Sequence, residues 1–477
     1  MKRVLAALFV LMVALLAACG TEATPTATSV AARTATPTAT QPPRATVAPP
    51  ATSVPTMLPA STSAIQPARA TAAESACVAC HKVVTPGIVA DWKNGVMGSM
   101  GFECTVCHTG EGKDRPDVRD HNGFKVVTIV TPKDCGACHA REAKEFGDSH
   151  HAQAASFIGS LDNMLGEVVG GAPVANVGCR QCHGSEVKLT ADKRPDSASW
   201  PNTGIGRINP DGSLGACSAC HSRHRFSVSQ ARQPEGCAKC HLGPDHPQKE
   251  VYDESKHGIL FYDRKEAQNL ELPAGKWIVG RDNLYPTCAS CHLAATLQQA
   301  GTHDVGARLS WTLRPAVSKK MDGWEAKRTA MQGVCGQCHS SGYVGSFYKQ
   351  FDAAVALYDD KFGKPATDIM AQLRAQQKLT ATNFDDQIEW VYYELWHHEG
   401  RRARHGAAMM GPDYAWWHGL YDVAKVFYTE FVPMAEALSP GIMKPVLDMP
   451  EHSWTRGLTK EEIQKQLEFY RQRYGQQ

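Results

Sequence analysis

The sequence predicts a mainly α-helical fold with little β-sheet. It divides into a cysteine-rich segment that wraps around prosthetic groups and a C-terminal bundle of long helices. Two observations lead to this prediction. A short Cys/His motif recurs eight times between residues 76 and 340, so densely that little room is left for an ordinary side-chain core. From about Ser340 the motif stops, and apolar residues recur at helical spacing over residues 341–477.

The recurring motif is C-x-x-C-H, which takes up sixteen of the 17 cysteines. Two thiols three positions apart can form thioether bonds to the two vinyl groups of one porphyrin, and the following His then lies under the iron as its proximal ligand. The sequence therefore predicts eight covalently bound c-type haems. Their attachment residues are Cys77, Cys80 and His81; Cys104, Cys107 and His108; Cys135, Cys138 and His139; Cys179, Cys182 and His183; Cys217, Cys220 and His221; Cys237, Cys240 and His241; Cys288, Cys291 and His292; and Cys335, Cys338 and His339.

Zinc sites or disulfides are the alternative use of these cysteines. A single C-x-x-C-H could be half of a zinc site, but zinc sites need paired motifs with a different spacing. Every copy here has its His in the same place, and no cysteine is left over inside the segment. The pattern therefore favours haem.

The N-terminus predicts export and a lipid anchor. Lys2 and Arg3 precede an apolar stretch that is too short to span a bilayer and is typical of a signal peptide over residues 1–18. The stretch ends at Cys19 and resembles a bacterial lipoprotein signal, in which this cysteine is lipidated; an ordinary cleavage site with a chance cysteine is the alternative. We expect the protein on the outer face of the cytoplasmic membrane, on the periplasmic or extracellular side.

Residues 19–75 form a linker in this prediction, because Thr, Ala, Pro and Ser dominate them and large apolar side chains are scarce. Such a segment would act as a tether between the lipid and the haem segment, which we place at residues 76–340. The net charge of +2 gives no indication of nucleic-acid binding. After the linker no stretch is long and apolar enough to be a membrane span.

The C-terminal region shows helical periodicity. A last amphipathic helix is expected over residues 460–474, entered through a capping box of Thr459 and Glu462. Two apolar stripes precede it, and core or oligomer packing is their simplest interpretation. The first stripe is Ile388, Val391 and Leu395, and the second is Trp416, Leu420, Val423, Phe427 and Phe431.

The number of histidines limits how many haem irons can have a second axial histidine. Of the 20 histidines, eight are proximal and twelve remain, whereas seven six-coordinate haems would need seven distal ligands. The count permits one open, catalytic iron but does not prove it. The best distal candidates are His121, His151 (or its neighbour His150), His246, His257, His303 and His405.

Three long runs in the sequence resemble the octahaem hydroxylamine oxidoreductases. They are residues 209–227 (NPDGSLGACSACHSRHRFS), 243–258 (GPDHPQKEVYDESKHG) and 412–421 (PDYAWWHGLY). The resemblance covers the chain from Ser75 to about Pro440. It implies a mostly helical protein, commonly a homotrimer, whose catalytic haem is that of the fourth motif and lacks a distal protein ligand.

The resemblance also implies roles for individual residues. In oxidative members a tyrosine from a neighbouring subunit is bonded to the catalytic porphyrin, and the matching residue here is Tyr414. Asp211 and His224 match the acid and the histidine that handle protons in the distal pocket. The alternatives are that Asp211 is a turn residue, that His224 is a distal ligand of another haem, and that Tyr414 is a core tyrosine.

We therefore expect an oxidoreductase that oxidises hydroxylamine to NO or nitrite, or hydrazine to N2. Its other haems would carry electrons to a redox partner such as a cytochrome c or a membrane quinone-linked protein. Reduction of nitrite or hydroxylamine to ammonium at the same haem is the first alternative, and it is expected of members without the tyrosine bond. A non-catalytic electron conduit is the second.

One segment departs from the family pattern. Residues 91–98 lie where members tend to carry a Trp/Tyr-x-x-Ser-x-His-like sequence, and the matching position here is Met97. One haem would then be bound through Met97 or Met100, or would lack a distal protein ligand. Another histidine could also fill the position. A thioether ligand raises the reduction potential of a haem.

Overall fold

The computed structural model describes residues 75–159 and 164–475, and helices predominate in both ranges. In the first part of the chain the α-helices are short, and their ends lie at loops or at haem motifs. They are Ala76–Val84, Pro86–Lys93, Val96–Ser99, Cys104–His108, Pro132–Gly136, Ala140–Gly147, Gly171–Val177, Cys179–His183, Val228–Arg232, Pro234–Ala238, Gln248–Glu254, Lys256–Asp263, Cys288–His292 and Trp324–Cys335. Short 3-10 helices cover Ala154–Gly159, Cys217–Ala219 and Lys265–Ala267, and a π-helix covers Met164–Val169.

Helices of the C-terminal region are longer and run into one another through π-helical turns. The α-helices are Ser341–Tyr358, Lys364–Ala375, Gln387–Tyr393, Gly400–Met409, Pro412–Ala415, Asp422–Val426, Val432–Leu438, Lys444–Leu447 and Lys460–Tyr474. The π-helical turns are Asp359–Gly363, Glu394–Glu399, Trp416–Tyr421 and Phe427–Phe431, and a 3-10 helix covers Pro450–Arg456.

β-Structure is confined to two small antiparallel hairpins in the described residues. Strand Arg119–His121 pairs with Phe124–Val126, with Asp120 opposite Lys125. Strand Trp311–Thr312 pairs with Lys319–Lys320. The prediction of a mainly helical fold with little sheet and a C-terminal set of long helices is confirmed.

The largest apolar core lies in the C-terminal region. Its fully buried side chains come from helices that are adjacent along the chain, and Tyr358, Leu373, Leu395, Phe427 and Phe431 are all 0% exposed. Two smaller clusters lie around Trp277 and around Phe351. Because most aliphatic burial falls after residue 340, the packing of the motif-bearing segment depends on something other than an ordinary side-chain core.

The predicted capping box and the second predicted apolar stripe of the C-terminal region have different outcomes. The capping box is present as predicted, since Glu462 accepts hydrogen bonds from the Thr459 backbone and hydroxyl at 2.8 Å each. The second apolar stripe is only partly correct, because Trp416 is 52% exposed whereas Val423 and Phe427 are 0% exposed. The backbone leaves helical geometry at His418 and Gly419, which turns Trp416 away from the stripe.

Among residues 75–159 and 164–475, no helix has the length and apolar character needed to cross a membrane. The predicted signal peptide, the lipidated Cys19 and almost all of the linker lie outside the described residues.

Candidate haem-binding and catalytic site

Each C-x-x-C-H motif forms about one helical turn. The His139 N–H donates to the Cys135 carbonyl at 2.8 Å, and the His339 N–H donates to the Cys335 carbonyl at 2.9 Å. Residues three apart on such a turn lie on one side of it, so both thiols can reach the same porphyrin. The sixteen cysteines from Cys77 to Cys338 are free of disulfides. In the described ranges no group of three or more metal-binding side chains could hold a lone ion, so zinc has no geometric support there.

Four proximal histidines face a second histidine at one particular distance. Two imidazoles that bind opposite sides of one metal, each at about 2 Å, have ring centres roughly 6 Å apart. The observed ring-centre separations are 6.1 Å for His81 and His121, 6.2 Å for His108 and His224, 6.0 Å for His241 and His151, and 6.1 Å for His339 and His257. These pairs fit haem iron, and each joins a motif histidine to one from another part of the chain.

The proximal rings are oriented by hydrogen bonds at Nδ1. The partner of His81 is the Thr85 hydroxyl at 2.7 Å, and the partner of His108 is the Val127 carbonyl at 2.9 Å. An Nδ1–H bonded in this way directs Nε2 towards the metal. Burial is the first cause that lowers the pKa of His241, to about 4, which keeps its imidazole in the neutral form that a metal binds.

Cysteines of different motifs adjoin one another and so order the haems in space. Cys135 of the third motif lies beside Cys217 of the fifth, and Cys237 of the sixth lies beside Cys288 of the seventh. The fourth motif adjoins the sixth, since the Cys182 thiol lies 3.8 Å from the Lys239 carbonyl and contacts Cys240. Haems attached at adjoining cysteines would be neighbours, so these contacts would place the third haem beside the fifth, and the sixth beside both the fourth and the seventh.

An ionic cluster lies beside the fourth and sixth motifs. The Nδ1 of His246 is 2.5 Å from the Asp245 carboxylate, and its Nε2 is 2.7 Å from the Cys240 carbonyl. Both partners are acceptors, so this geometry suits a ring that carries two protons. Arg401 donates to the other oxygen of Asp245 at 3.2 Å and also contacts His397.

The pKa of His246 reflects this cluster. Burial alone would lower it, but the hydrogen bond and charge of Asp245 outweigh burial, and the net pKa is raised. The same partners hold the pKa of Asp245 below its usual value despite burial. A histidine with a raised pKa beside the fourth motif is suited to take up a proton near neutral pH.

Comparison with known proteins agrees with this geometry. A family model described as "Seven times multi-haem cytochrome CxxCH" matches residues 211–385. A probable nitrite reductase-hydroxylamine oxidoreductase fusion protein of Kuenenia stuttgartiensis is 24% identical over 457 residues, which cover 72% of this chain and 49% of that protein. This chain thus spans about half the length of that curated relative.

Two solved structures share the fold. A protein described as a hypothetical multiheme protein matches with a TM-score of 0.66 and 24% identity, over 76% of this chain and 96% of that one. A chain of the reducing HAO-like protein complex of Kuenenia stuttgartiensis matches with a TM-score of 0.57 and 21% identity, over 78% of this chain and 86% of that one. The chain carries the motifs of a multihaem c-type cytochrome, and it is similar in sequence and fold to these hydroxylamine oxidoreductase-like proteins.

In this multihaem cytochrome Asp211 and His224 have separate partners. The Asp211 carboxylate accepts from Thr131 at 2.8 Å and lies 3.7 Å from Arg115, whereas His224 faces His108. Burial alone would raise the pKa of Asp211, but hydrogen bonds from Ser213 and Thr131 and the charge of Arg115 lower it overall. The contacts of Asp211 correspond to the alternative of a turn residue, and the position of His224 opposite His108 corresponds to that of a distal ligand.

Tyr414 lies at the start of the helix Pro412–Ala415, where the proline occupies the first turn as predicted. Glu254 fixes this turn, because its carboxylate accepts from the Asp413 and Tyr414 backbone N–H groups at 3.2 and 3.3 Å. The Tyr414 ring is partly buried, with its centre 5.6 Å from that of His418. The exposed rings of Trp416, Trp417 and Tyr421 follow directly.

Other predicted ligands occupy varied positions. The His303 backbone donates to Glu145 at 2.7 Å. His405 is partly buried, and Gln248 lies between its Nε2 (3.4 Å) and the Nδ1 of the proximal His241 (3.3 Å). Burial, followed by the charge of Arg404, lowers the pKa of His405 to about 3.

Sequence reasoning missed Asp245 and Arg401. His246, which it predicted as an axial ligand, has its ring centre 6.2 Å from that of the proximal His241. The adjacent Asp and His in the 243–258 run were the available signal for an acid–base pair. Arg401 could not be found in this way, because a C-terminal helix brings it to that loop from far along the chain.

Proposed function

We propose that this chain is an octahaem oxidoreductase that oxidises hydroxylamine or hydrazine at the haem of the fourth motif. The remaining haems would pass the electrons to a redox partner. The observation that carries the proposal is the Asp245–His246–Arg401 cluster beside Cys182 and Cys240. A conduit for electrons needs no such proton-handling group, whereas substrate oxidation does.

The bound haem supplies an iron that accepts electrons from the substrate. The protein's own part is proton management. Removing electrons from hydroxylamine or hydrazine releases protons, and His246 can accept one when its ring is neutral. Asp245 then stabilises the resulting imidazolium through Nδ1, and the Cys240 carbonyl does so through Nε2. Arg401 keeps Asp245 ionised by pairing with its second oxygen.

Tyr414 supports the oxidative direction in this proposal. It lies at the start of a helix whose backbone is held by Glu254, and the exposed Trp416 and Trp417 follow it directly. Such a surface suits contact with another subunit, and we propose a homotrimer in which Tyr414 bonds to the neighbour's catalytic porphyrin. The lipid anchor at Cys19 and the location outside the cytoplasmic membrane remain part of the proposal.

Reduction of nitrite or hydroxylamine at the same haem is the second candidate. It is supported by similarity to two proteins, one a probable nitrite reductase-hydroxylamine oxidoreductase fusion and the other part of a reducing HAO-like complex. His246 would then donate a proton instead of accepting one, with Asp245 still paired to its ring. A covalent bond between Tyr414 and the porphyrin would distinguish the oxidative reaction from the reductive one.

One purified preparation tests the proposal. Intact mass and haem staining should count eight haems per chain, the spectrum should contain one five-coordinate haem, and hydroxylamine should reduce an acceptor dye. Peptide mapping should find a tyrosyl peptide attached to haem. Fewer than seven haems would refute the octahaem assignment. A fully six-coordinate spectrum would favour an electron conduit, and activity only with a reduced donor would favour the reductase.

A further inference from the structure

We propose that the thioether sulfur of Met97 is the axial ligand of one haem iron in this chain. The inference rests on the octahaem part of the proposed function, but not on its substrate or direction. It is carried by a backbone turn that recurs along the chain and that places a histidine opposite a proximal one in two of its three copies.

The turn that holds Met97 has a close copy around His257. A Cβ placed on Gly98 would lie 2.1 Å from the Trp92 carbonyl oxygen, and one placed on Gly258 would lie 1.9 Å from the Tyr252 carbonyl oxygen. In both copies the glycine follows the aromatic residue by six positions and packs directly on its carbonyl. Only glycine fits such an approach, so both turns impose the same residue type at the same place.

The hydrogen bonds of the two turns also agree. The Gly95 N–H donates to the Trp92 carbonyl at 3.0 Å, and the Ser255 N–H donates to the Tyr252 carbonyl at 3.1 Å. Gly95 and Ser255 both have extended backbone angles and both cap a helix that starts at the next residue. The two segments therefore share one conformation, with Gly95 in register with Ser255.

This register places Met97 where the second copy has His257. The ring of His257 lies 6.1 Å from that of the proximal His339, the separation expected for two ligands of one iron. Met97 is the corresponding residue of its own turn, two positions after the cap, and it is half-buried. The thioether of methionine is itself a common axial ligand of c-type haem.

A third segment repeats the relation. The Ser149 N–H donates to the Phe146 carbonyl at 3.0 Å, as in the other two turns. Two positions after Ser149 comes His151, whose ring lies 6.0 Å from that of the proximal His241. Two of the three turns thus place a histidine opposite a motif histidine, and the third places Met97.

The ligand count leads to the same assignment. After the four histidine pairs, the proximal residues His139, His221 and His292 still need a partner if only the fourth haem is open. His150, His303 and Met97 are then the available residues. His246 lies 6.2 Å from His241, a ring that His151 already faces at 6.0 Å. The remaining non-proximal histidines make ring contacts or hydrogen bonds elsewhere; they are His397, His398, His405, His418 and His452.

Contacts with the Arg225 backbone hold the turn that contains Met97 in place. The Val96 N–H donates to the Arg225 carbonyl at 3.1 Å, and a Cβ on Gly95 would approach that carbonyl to 2.6 Å. Arg225 follows the fifth motif closely and directly succeeds His224, which faces His108. A sulfur ligand raises the potential of its haem above that of a haem with two histidines, so electrons would collect at this site.

Near-infrared magnetic circular dichroism of the oxidised holoprotein tests the assignment. The native protein should show the sulfur-to-iron charge-transfer band of one haem in eight. Met97→Leu should abolish the band, whereas Met100→Leu should leave it intact, because Met100 is 56% exposed and lies outside the register. Met97→His should keep eight haems, lose the band and shift one haem to a lower potential in a spectroelectrochemical titration.

The inference is overturned if the native protein lacks the band, or if the band persists in Met97→Leu or Met97→His. Met97→His also guards against misfolding, because it restores the ligand type of the His257 turn. These outcomes do not depend on hydroxylamine activity. A protein that shows the band but does not turn over hydroxylamine would contradict the proposed substrate while supporting Met97.

Discussion

Replacing His246 by glutamine removes a proton acceptor while retaining a side chain that can donate to the Cys240 carbonyl. In the parent protein His246 lies 2.5 Å from Asp245 and 2.7 Å from that carbonyl. A positioned acid or base contributes roughly 10²–10⁴-fold to rate. Because the rest of the cluster stays in place, we expect the low end, a roughly 100-fold loss of kcat/KM, which is about 2.7 kcal/mol.

The pH dependence of kcat/KM gives the same test a direction. His246 accepts protons only when neutral, so activity should rise with pH through its pKa. Asp245 is what raises that pKa against burial, and Asp245→Asn should therefore lower it and move the acid limb of the profile to lower pH. The assay is hydroxylamine-dependent dye reduction by the haem-loaded protein across pH.

Asp352→Asn serves as the matched control, since Arg328 holds that carboxylate at 2.5 Å in another cluster. It should leave the acid limb in place. If His246→Gln retains the parent kcat/KM, or if Asp245→Asn leaves the acid limb unmoved, the assignment of the proton acceptor is refuted.

Four further outcomes are expected. Tyr414→Phe should abolish hydroxylamine oxidation and leave haem loading and trimer mass unchanged; parental activity, or haem peptides without tyrosine, would favour the reductase. Phe427→Ala empties a position that is 0% exposed and should lower the free energy of unfolding by about 3–5 kcal/mol in denaturant titrations; a negligible loss would contradict the packing described. Hydrogen bonds from Arg328 and Trp311 outweigh burial and depress the pKa of Asp352, so its stabilisation should be present above about pH 4 and fade below it; Asp352→Asn should flatten the acid end of a stability–pH curve, and an unchanged curve would remove this role. Cys19→Ala should release the protein from membranes, and unchanged fractionation would dismiss the lipid anchor.

Local features of the fold were predictable from sequence because they depend on near neighbours. The haem motifs need only residues three and four apart, and the Thr459 cap needs only Glu462, three positions on. The Trp416 stripe failed for a physical reason, since helical spacing presupposes an unbroken helix and the backbone breaks at His418–Gly419.

Long-range pairing was beyond sequence reasoning. His121, His151 and His257 could be named as ligands, but which proximal histidine each one faces depends on the path of the chain between them. His224 shows the limit most clearly. The sequence left two roles open for it, a catalytic one from the family resemblance and that of a distal ligand of another haem. That its ring lies opposite His108 depends on tertiary structure.

The uneven placement of apolar burial bears on how this protein is assembled in the cell. The helices that contribute Tyr358, Leu373, Leu395 and Phe427 form a continuous core of ordinary side chains. That region has the means to fold without porphyrins, whereas residues 76–340 would depend on haem attachment for much of their apolar packing. In a host that lacks the haem-attachment machinery, proteases should trim the chain to a resistant C-terminal fragment. Haem insertion would then act as the quality-control step for the amino-terminal part alone.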